Sequence, residues 1–252
     1  MISVRSLAKS FHDKKRGVVH ALDHISFDVR AREIFGLLGP NGAGKTTCLR
    51  LLATILKPTE GTAQVGGADI VQSPEAVRRQ IGFLSGDMGS YVRLTAREVL
   101  GFFGRLNGLE GQRLRQRIEE MVETFGFGEY ADTRIEKLST GMKQKVAIAR
   151  TVLHDPPILI LDEPSAGLDV PTARLIERFI LNAKDSGKCI LFSTHVMEEA
   201  EYLCDRIGVV HQGRLKALGT MDQLRERTGK QRLREIFLDL LDMSDQAQEA
   251  RT

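Results

Sequence analysis

The sequence has few of the features that mark membrane-spanning, secreted or disulfide-bonded proteins. No run of apolar residues approaches the length of about 18 that spans a bilayer, and the amino terminus lacks the uninterrupted apolar segment of a signal peptide. There are only three cysteines, widely spaced within apolar patterns. This favours reduced, buried thiols over a disulfide framework or a metal site. We therefore expect the chain to be made and kept in the cytoplasm.

The sequence also has little excess charge of either sign. Lys and Arg total 36 against 33 Asp and Glu, so the net charge is only +3 over 252 residues. Proteins that bind nucleic acid usually concentrate basic residues on one face. The densest basic runs here, residues 12–17 and 112–117, favour a solvated loop and a solvated helix face. We expect no nucleic-acid partner.

The spacing of apolar residues predicts an α/β chain with distinct parts. Residues 1 to about 36 alternate with period two, which predicts a small antiparallel sheet leading into a buried strand. Residues 95–153 are almost entirely helical in pattern. From residue 156 onward, short strands that are apolar on both faces alternate with helices, which is typical of a parallel sheet covered on both sides. Residues 229–252 predict a short helix and a polar tail.

The segment GPNGAGKTT matches the phosphate-loop pattern G-x-x-x-x-G-K-[ST] between a predicted strand and a predicted helix. A side chain at Gly42 or Gly44 would obstruct the backbone N–H groups that point at phosphate oxygens. Lys45 can reach the β- and γ-phosphates, and Thr46 can ligate Mg²⁺. The predicted ATP-binding residues of this loop are Gly39, Pro40, Asn41, Gly42, Ala43, Gly44, Lys45, Thr46 and Thr47.

The segment ILILDEP supplies two carboxylates at the end of an apolar strand. Asp162 is predicted to lie at the carboxyl edge of the sheet near the phosphate loop, where it would hold Mg²⁺. Glu163 is then available to polarise an attacking water as a general base. Taken alone, an Asp-Glu pair after a strand is more often a turn, but the phosphate loop favours the catalytic interpretation.

Five segments occur in a fixed order along the chain: the phosphate loop, LSTGM, ILILDEP, SAGLD and FSTH. In this order they resemble the nucleotide-binding domain of ABC transporters, over about residues 1–228. The resemblance implies a P-loop NTPase core with a mostly parallel sheet, an N-terminal antiparallel β subdomain and a helical subdomain inserted at about residues 88–150. It also implies an ATPase that uses Mg²⁺, with Lys45, Glu163 and His195 as catalytic residues.

The segment LSTGM opens a predicted helix, and the amino end of a helix is where an anion binds. In the family, the matching segment closes over the γ-phosphate of ATP held by a second subunit. The resemblance therefore implies a homodimer, or a pair of like subunits, enclosing two ATP molecules. Thr140 and Met142 replace the family's usual glycine and glutamine. The residues assigned to this role are Leu138, Ser139, Thr140, Gly141 and Met142.

The resemblance assigns roles to three more residues. His195 corresponds to a switch histidine that senses the γ-phosphate and orients the base. Asp169, which by itself predicts only a helix N-cap, matches a loop that crosses the dimer interface. Phe11 matches an aromatic ring on adenine, although a core phenylalanine beside a turn is nearly as good an interpretation. Gly86 stands where the family has a glutamine, and the adjacent Asp87 could substitute through a water molecule.

These assignments predict the ATP-hydrolysing subunit of an exporter, attached to the inner face of the cell membrane through a separately encoded permease. Segments such as ILFSTHVMEEAEYLCD resemble sodium-extrusion exporters and also drug-resistance exporters. The alternative is a soluble ABC ATPase that acts on ribosomes, DNA or iron-sulfur assembly. Such relatives usually have two cassettes or a long coiled coil, and this chain has neither. A small-molecule kinase is disfavoured because it has no use for LSTGM.

Overall fold

Two β-sheets and nine α-helices make up the part of the chain that the computed structural model describes, residues 1–13, 15, 17–85 and 91–249. The strands are β1 (Ile2–Asp13), β2 (Gly17–Val29), β3 (Ile34–Leu38), β4 (Glu60–Val65), β5 (Ala68–Asp69), β6 (Ile81–Leu84), β7 (Ile158–Asp162), β8 (Cys189–Thr194), β9 (Arg206–His211) and β10 (Arg214–Gly219). The helices are α1 (Lys45–Leu52), α2 (Pro74–Gln80), α3 (Ala96–Leu106), α4 (Gly111–Phe125), α5 (Thr140–Val152), α6 (Val170–Asp185), α7 (Met197–Leu203), α8 (Met221–Thr228) and α9 (Leu233–Glu249). This order confirms the predicted α/β fold class.

The larger sheet brings three chain segments to one edge. Its strand order is β10-β9-β3-β8-β7-β6, and β10 alone among these six described strands runs antiparallel to its neighbour. Strand β8 lies between β3 and β7, so the segments that follow these three strands start side by side. In open α/β sheets this carboxyl edge is where ligands bind. The predicted mostly parallel sheet is confirmed.

Strand β7 shows how this sheet is covered on both faces. Ile158 and Ile160 belong to the apolar cluster formed with the smaller sheet and α1, whereas Leu159 and Leu161 belong to the cluster formed with the helices inserted before β7. All four side chains are fully buried. Each contributes about 1.5–3 kcal/mol relative to an exposed position. The run ILIL is thus a strand that is apolar on both sides, as its sequence predicts.

The smaller sheet contains the amino terminus, in the order β2-β1-β4-β5. Its strands pair antiparallel, with Ile2 opposite Val29 and also opposite Val65. Alternate residues of β1 and β2 face the cluster that includes α1. The period-two pattern at the start of the chain therefore has the predicted structural basis.

Helices α3, α4 and α5 form an insertion between β6 and β7. The predicted capping box is present at the start of α3, where Thr95 Oγ1 accepts from Glu98 N at 3.2 Å and Glu98 Oε2 accepts from Thr95 N at 2.8 Å. Helix α4 ends at Gly126, whose φ of 61° is left-handed. Phe125, the fully buried last residue of α4, packs against Phe179 of α6 with ring centroids 5.1 Å apart.

The carboxyl-terminal helix α9 is longer than the short helix predicted from the sequence. Leu233, Ile236, Phe237 and Leu240 pack with α7, β9 and β10 in a third apolar cluster. The helix then continues to Glu249 through residues expected to be a polar tail. Residues 246–249, Gln-Ala-Gln-Glu, have high helix propensity, which favours a helical backbone at this end. In the described chain, each helix is either too short or too polar to cross a membrane.

Candidate functional site

The phosphate loop, residues 39–47, leaves β3 and leads into α1. Gly39 lies so close to β9 that a Cβ atom there would be 2.2 Å from the carbonyl oxygen of Val210. Gly42 and Gly44 have φ values of 80° and 106°, which only glycine adopts without strain. Gly44 caps α1, and the first turn of that helix has no acidic residue to compete with a bound anion. The loop therefore fits a phosphate group at a helix amino end.

Lys45 extends its side chain back across this loop. Its Nζ donates to the carbonyl oxygens of Gly39 at 2.7 Å and Pro40 at 3.1 Å. It also lies 3.4 Å from Glu163 Oε1. The side chain is only 4% exposed, so these oxygens take the place of water around its ammonium group. Lys45 is thus held at the mouth of the loop, where a phosphate oxygen could bind it.

Thr46 and Asp162, the two residues predicted to hold Mg²⁺, lie in contact. Thr46 Oγ1 donates to Asp162 Oδ1 at 3.1 Å, and Ser193 Oγ donates to the same carboxylate oxygen at 2.6 Å. Hydroxyl and carboxylate oxygens are suitable ligands for Mg²⁺, which usually takes one or two protein ligands and completes its shell with water and phosphate oxygens. The described residues contain no group of three or more His, Cys, Asp or Glu side chains suited to a metal. The pair fits Mg²⁺ bound together with a nucleotide.

Glu163 lies between a cation and an imidazole. One carboxylate oxygen is 3.4 Å from Lys45 Nζ, and the other is 3.2 Å from His195 Nδ1. The backbone of Glu163 is left-handed, with φ 47°, and its N–H donates to the carbonyl oxygen and the hydroxyl of Ser193 at 3.2 and 3.1 Å. Such strain in a non-glycine residue persists only where the surroundings fix it. Glu163 and His195 are thus brought together beside the phosphate loop.

A pocket over the phosphate loop collects most of the predicted binding residues. Its lining consists of Ala21, Pro40, Asn41, Gly42, Ala43, Gly44, Lys45, Thr46, Thr47 and Glu163. Ala21, in β2, was not predicted from the sequence. Phe11 is not among these lining residues; it is 39% exposed on β1, with Lys9 Nζ 5.1 Å from its ring centroid. The adenine role of Phe11 stays a prediction.

The LSTGM segment and Asp169 lie together, away from that pocket's lining. Exposed Ser139 caps α5 by accepting from Met142 N at 3.3 Å. A Cβ atom at Gly141 would be 3.4 Å from Asp169 Oδ2. Asp169 in turn caps α6, and the hydrogen bond from the backbone N–H of Thr172 lowers the pKa of its carboxyl. The two segments that the resemblance assigns to a dimer interface are therefore neighbours within one chain.

Three residues of this region were missed at the level of sequence. Ser193 pairs with Asp162 in the sheet register and bonds to it. Gln144 Nε2 donates to the carbonyl oxygen of Pro164 at 2.6 Å, which ties α5 to the loop after Glu163. Glu199, on α7, accepts a hydrogen bond from the Ser165 hydroxyl. Of the three, Ser193 was the one with a signal in the sequence, because it lies in the polar end of the buried strand CILFST. Gly86 and Asp87 lie outside the described residues, so the expectation that Asp87 replaces the family's glutamine through a water molecule stays a prediction.

Comparison with known proteins is consistent with this geometry. The family described as ABC transporter matches residues 22–166. The ABC transporter ATP-binding protein NatA of Bacillus subtilis (strain 168) is 42% identical over 242 residues, which are 96% of this chain and 98% of that protein. The probable multidrug ABC transporter ATP-binding protein YbhF of Escherichia coli (strain K12) is 40% identical over 228 residues, which are 90% of this chain and 38% of that longer protein.

A solved structure shares the architecture described above. It is the dimeric post-hydrolysis state of an ATP-binding cassette bound to ADP and Pi, with a TM-score of 0.80 and 25% sequence identity. The similarity covers 87% of this chain and 98% of that one. By family match, sequence identity and fold, the chain belongs to the ABC transporter family and has the fold of its ATP-binding cassettes.

Proposed function

We propose that the chain is the ATP-hydrolysing subunit of an ABC exporter and works as a pair beneath a separate membrane subunit. The observation that carries this proposal is the position of Glu163. Its carboxylate lies between Lys45 and His195, immediately after the Asp162–Thr46 pair that fits Mg²⁺. A phosphate-binding loop, a pair of Mg²⁺ ligands and a carboxylate base lie side by side, and this arrangement favours hydrolysis of a nucleoside triphosphate.

Each residue of this group has a defined task in the proposal. Lys45 and the N–H groups of the phosphate loop hold the phosphates, and Thr46 and Asp162 hold Mg²⁺, which neutralises negative charge when bound. Glu163 orients water and accepts its proton as the water oxygen bonds to the γ-phosphorus and the bond to the ADP oxygen breaks. A well-placed base contributes about 10² to 10⁴ in rate. His195 holds Glu163 in place through its Nδ1 and faces solvent, where the γ-phosphate would meet it.

A second subunit is proposed to complete the site. Ser139 is exposed, and the LSTGM segment does not contribute to the pocket over its own phosphate loop. The dimer of a similar cassette bound to ADP and Pi supports a paired arrangement. We propose that Leu138, Ser139, Thr140, Gly141 and Met142 close on the ATP of the partner subunit, with Asp169 at the same interface. Phe11 is proposed to stack on adenine.

Coupling to transport is assigned to the helical insertion, whose movement would follow closure and opening of the pair. The chain would then lie in the cytoplasm against the inner face of the membrane. For the cargo we propose Na⁺ or a drug, on the resemblance to sodium-extrusion and drug-resistance exporters. The probable multidrug relative supports the drug class. Selection of the cargo would reside in the membrane subunit.

A pull-down from native membranes tests this function. The tagged chain is recovered after detergent solubilisation, and co-purifying proteins are identified by mass spectrometry, with a tagged unrelated cytoplasmic protein as the control. We expect a polytopic membrane protein in stoichiometric amount in the sample and not in the control. Recovery of ribosomal, DNA-bound or iron-sulfur assembly proteins without a membrane subunit would support the soluble ATPase and overturn the transport assignment.

A further inference from the structure

Helix α7 buries a carboxylate that the proposed chemistry does not use. Glu199 lies in the first turn of this helix, four residues after His195, and is only 7% exposed. It accepts a hydrogen bond from the Ser165 hydroxyl. One buried side chain therefore ties α7, the helix that follows His195, to the loop that follows Glu163.

Ser165 and Glu199 both lie close in the chain to the two residues that meet in the site, with Glu199 four positions after His195. Ser165 follows Glu163 by two positions, and Thr194 immediately precedes His195. Glu163 has the strained φ of 47°, and a turn joins its carbonyl oxygen to Ala166 N at 3.3 Å. Thr194 is 2% exposed, and its hydroxyl accepts from Val196 N at 2.9 Å. The loop after Glu163 is thus anchored to the helix that follows His195, and the side chains of Glu163 and His195 contact each other.

We propose that Glu199 is a positioning residue for ATP hydrolysis, which fixes the Glu163 loop against the His195 loop so that the 3.2 Å contact between Glu163 and His195 is kept. The proposal rests on the proposed function, since it acts through Glu163. It assigns Glu199 no contact with ATP, Mg²⁺ or the attacking water. Its effect is therefore on the rate of the chemical step and not on the binding of nucleotide.

The location of this carboxylate is unfavourable for stability alone. Burial raises the pKa of Glu199 against the hydrogen bond from Ser165, and the nearby carboxylates of Glu177 and Glu163 raise it further. A buried, ionisable group in this situation costs free energy that an uncharged side chain of the same shape would not cost. Replacement by glutamine consequently separates positioning from stability, because it keeps the shape of the side chain while it removes the charge and one of the two oxygens that can accept from Ser165.

The test compares three purified full-length variants with the wild type: Glu199→Gln, Ser165→Ala and the exposed control Glu198→Gln on the same helix. Phosphate release is measured against ATP concentration with saturating Mg²⁺, and kcat is normalised to the number of nucleotide sites found by titration with a fluorescent ATP analogue. We expect kcat to fall roughly 10- to 100-fold for Glu199→Gln, since displacement of a reacting group by about 1 Å costs rates of this order. KM for ATP and the melting temperature should change little, and Glu198→Gln should match the wild type.

A double variant shows whether the two groups act together. Ser165→Ala with Glu199→Gln should be no slower than the slower single variant, because both substitutions act on the same contact. The proposal is overturned if Glu199→Gln keeps the wild-type kcat, or if its loss of activity follows a loss of nucleotide sites or of melting temperature. If Glu199→Gln does not fold, the kcat of Ser165→Ala decides in the same way. Glu163→Gln separates the two claims: activity in that variant overturns the proposed function itself, whereas inactive Glu163→Gln with fully active Glu199→Gln overturns only the inference.

Discussion

Thr46 donates a hydrogen bond of 3.1 Å to Asp162, although 116 positions separate the two residues in the sequence. The first residue belongs to α1 and the second ends β7, and the contact spans the position of β8 between them. Two oxygen ligands suited to one Mg²⁺ are thereby fixed by the sheet and not by a flexible loop. The metal requirement of the protein should depend on this pair.

Thr46→Val removes the hydroxyl from the pair with little change in shape. Loss of partners that only orient metal ligands typically costs about 10- to 100-fold in affinity or activity, so loss of a direct ligand should raise the Mg²⁺ concentration for half-maximal ATPase activity by at least about tenfold. The measurement is a Mg²⁺ titration of phosphate release at fixed ATP. Thr46→Ser, which keeps the hydroxyl, is the matched control. Identical titrations for the valine and serine variants would contradict the assignment.

Gly39 and Gly42 should respond differently to alanine. A Cβ at Gly39 would be 2.2 Å from the Val210 carbonyl oxygen, whereas no heavy atom lies within 4 Å of a Cβ at Gly42. Gly39→Ala should therefore lower the free energy of unfolding by about 1–3 kcal/mol through overpacking. Gly42→Ala should cost about 1–2 kcal/mol for its positive φ and should mainly weaken ATP binding, because the methyl group enters the phosphate cradle. Urea unfolding and ATP titration of both variants test this, and an unchanged ATP affinity for Gly42→Ala would argue against the cradle.

The three thiols should be unreactive in the native protein. Burial raises the pKa of Cys48 and of Cys189 to about 12 and raises the pKa of Cys204 well above its usual range. Since only the thiolate reacts, a disulfide reagent at pH 8 should label none of them until the chain is unfolded, when all three should react. Mass spectrometry of the labelled native and denatured protein gives the count. Rapid labelling of the native protein at any of these sites would show that the thiol is accessible to solvent and would contradict its burial.

Ser139 should matter for pairing. In a Glu163→Gln background, ATP and Mg²⁺ should shift the chain from its 28.0 kDa mass toward a dimer, since ATP then stays bound. Adding Ser139→Ala removes the cap of α5, which is typically worth about 1 kcal/mol, and the exposed hydroxyl proposed to face the partner's ATP. Light scattering should show weaker ATP-dependent dimerisation. Thr95→Ala, which removes the cap of α3 instead, is the control, and equal losses in both variants would point to helix stability alone.

Features encoded in continuous segments could be predicted from the sequence. The phosphate loop is one run of nine residues, and its backbone geometry follows from glycines at fixed spacing. The run ILIL specifies a strand buried on both sides, which places Asp162 at the edge of the sheet. The capping box at Thr95 and Glu98 lies within one helical turn. In each case the physical cause acts over a few residues, so the pattern alone is sufficient.

Features that depend on chain segments meeting in space could not be predicted in this way. Ser193 bonds to Asp162 because β8 pairs with β7. Glu199 reaches Ser165 because α7 lies beside the loop that follows β7. Gln144 reaches Pro164 for a similar reason. Helix α9 extends further than predicted, to Glu249, through residues whose polar character favoured a tail. Roles that require a partner subunit, such as those of Asp169 and Gly141, stay predictions.

The rate of phosphate release by Glu163→Gln tests the central claim most directly. Glutamine keeps the size of the side chain and removes its ability to accept a proton, so ATP should still bind while the rate falls by roughly 10² to 10⁴. The rate is measured with saturating ATP and Mg²⁺, and ATP affinity is determined on the same sample to show that the site is intact. A variant that binds ATP and releases phosphate within threefold of the wild-type rate, roughly 0.65 kcal/mol in barrier height, would contradict the role of Glu163.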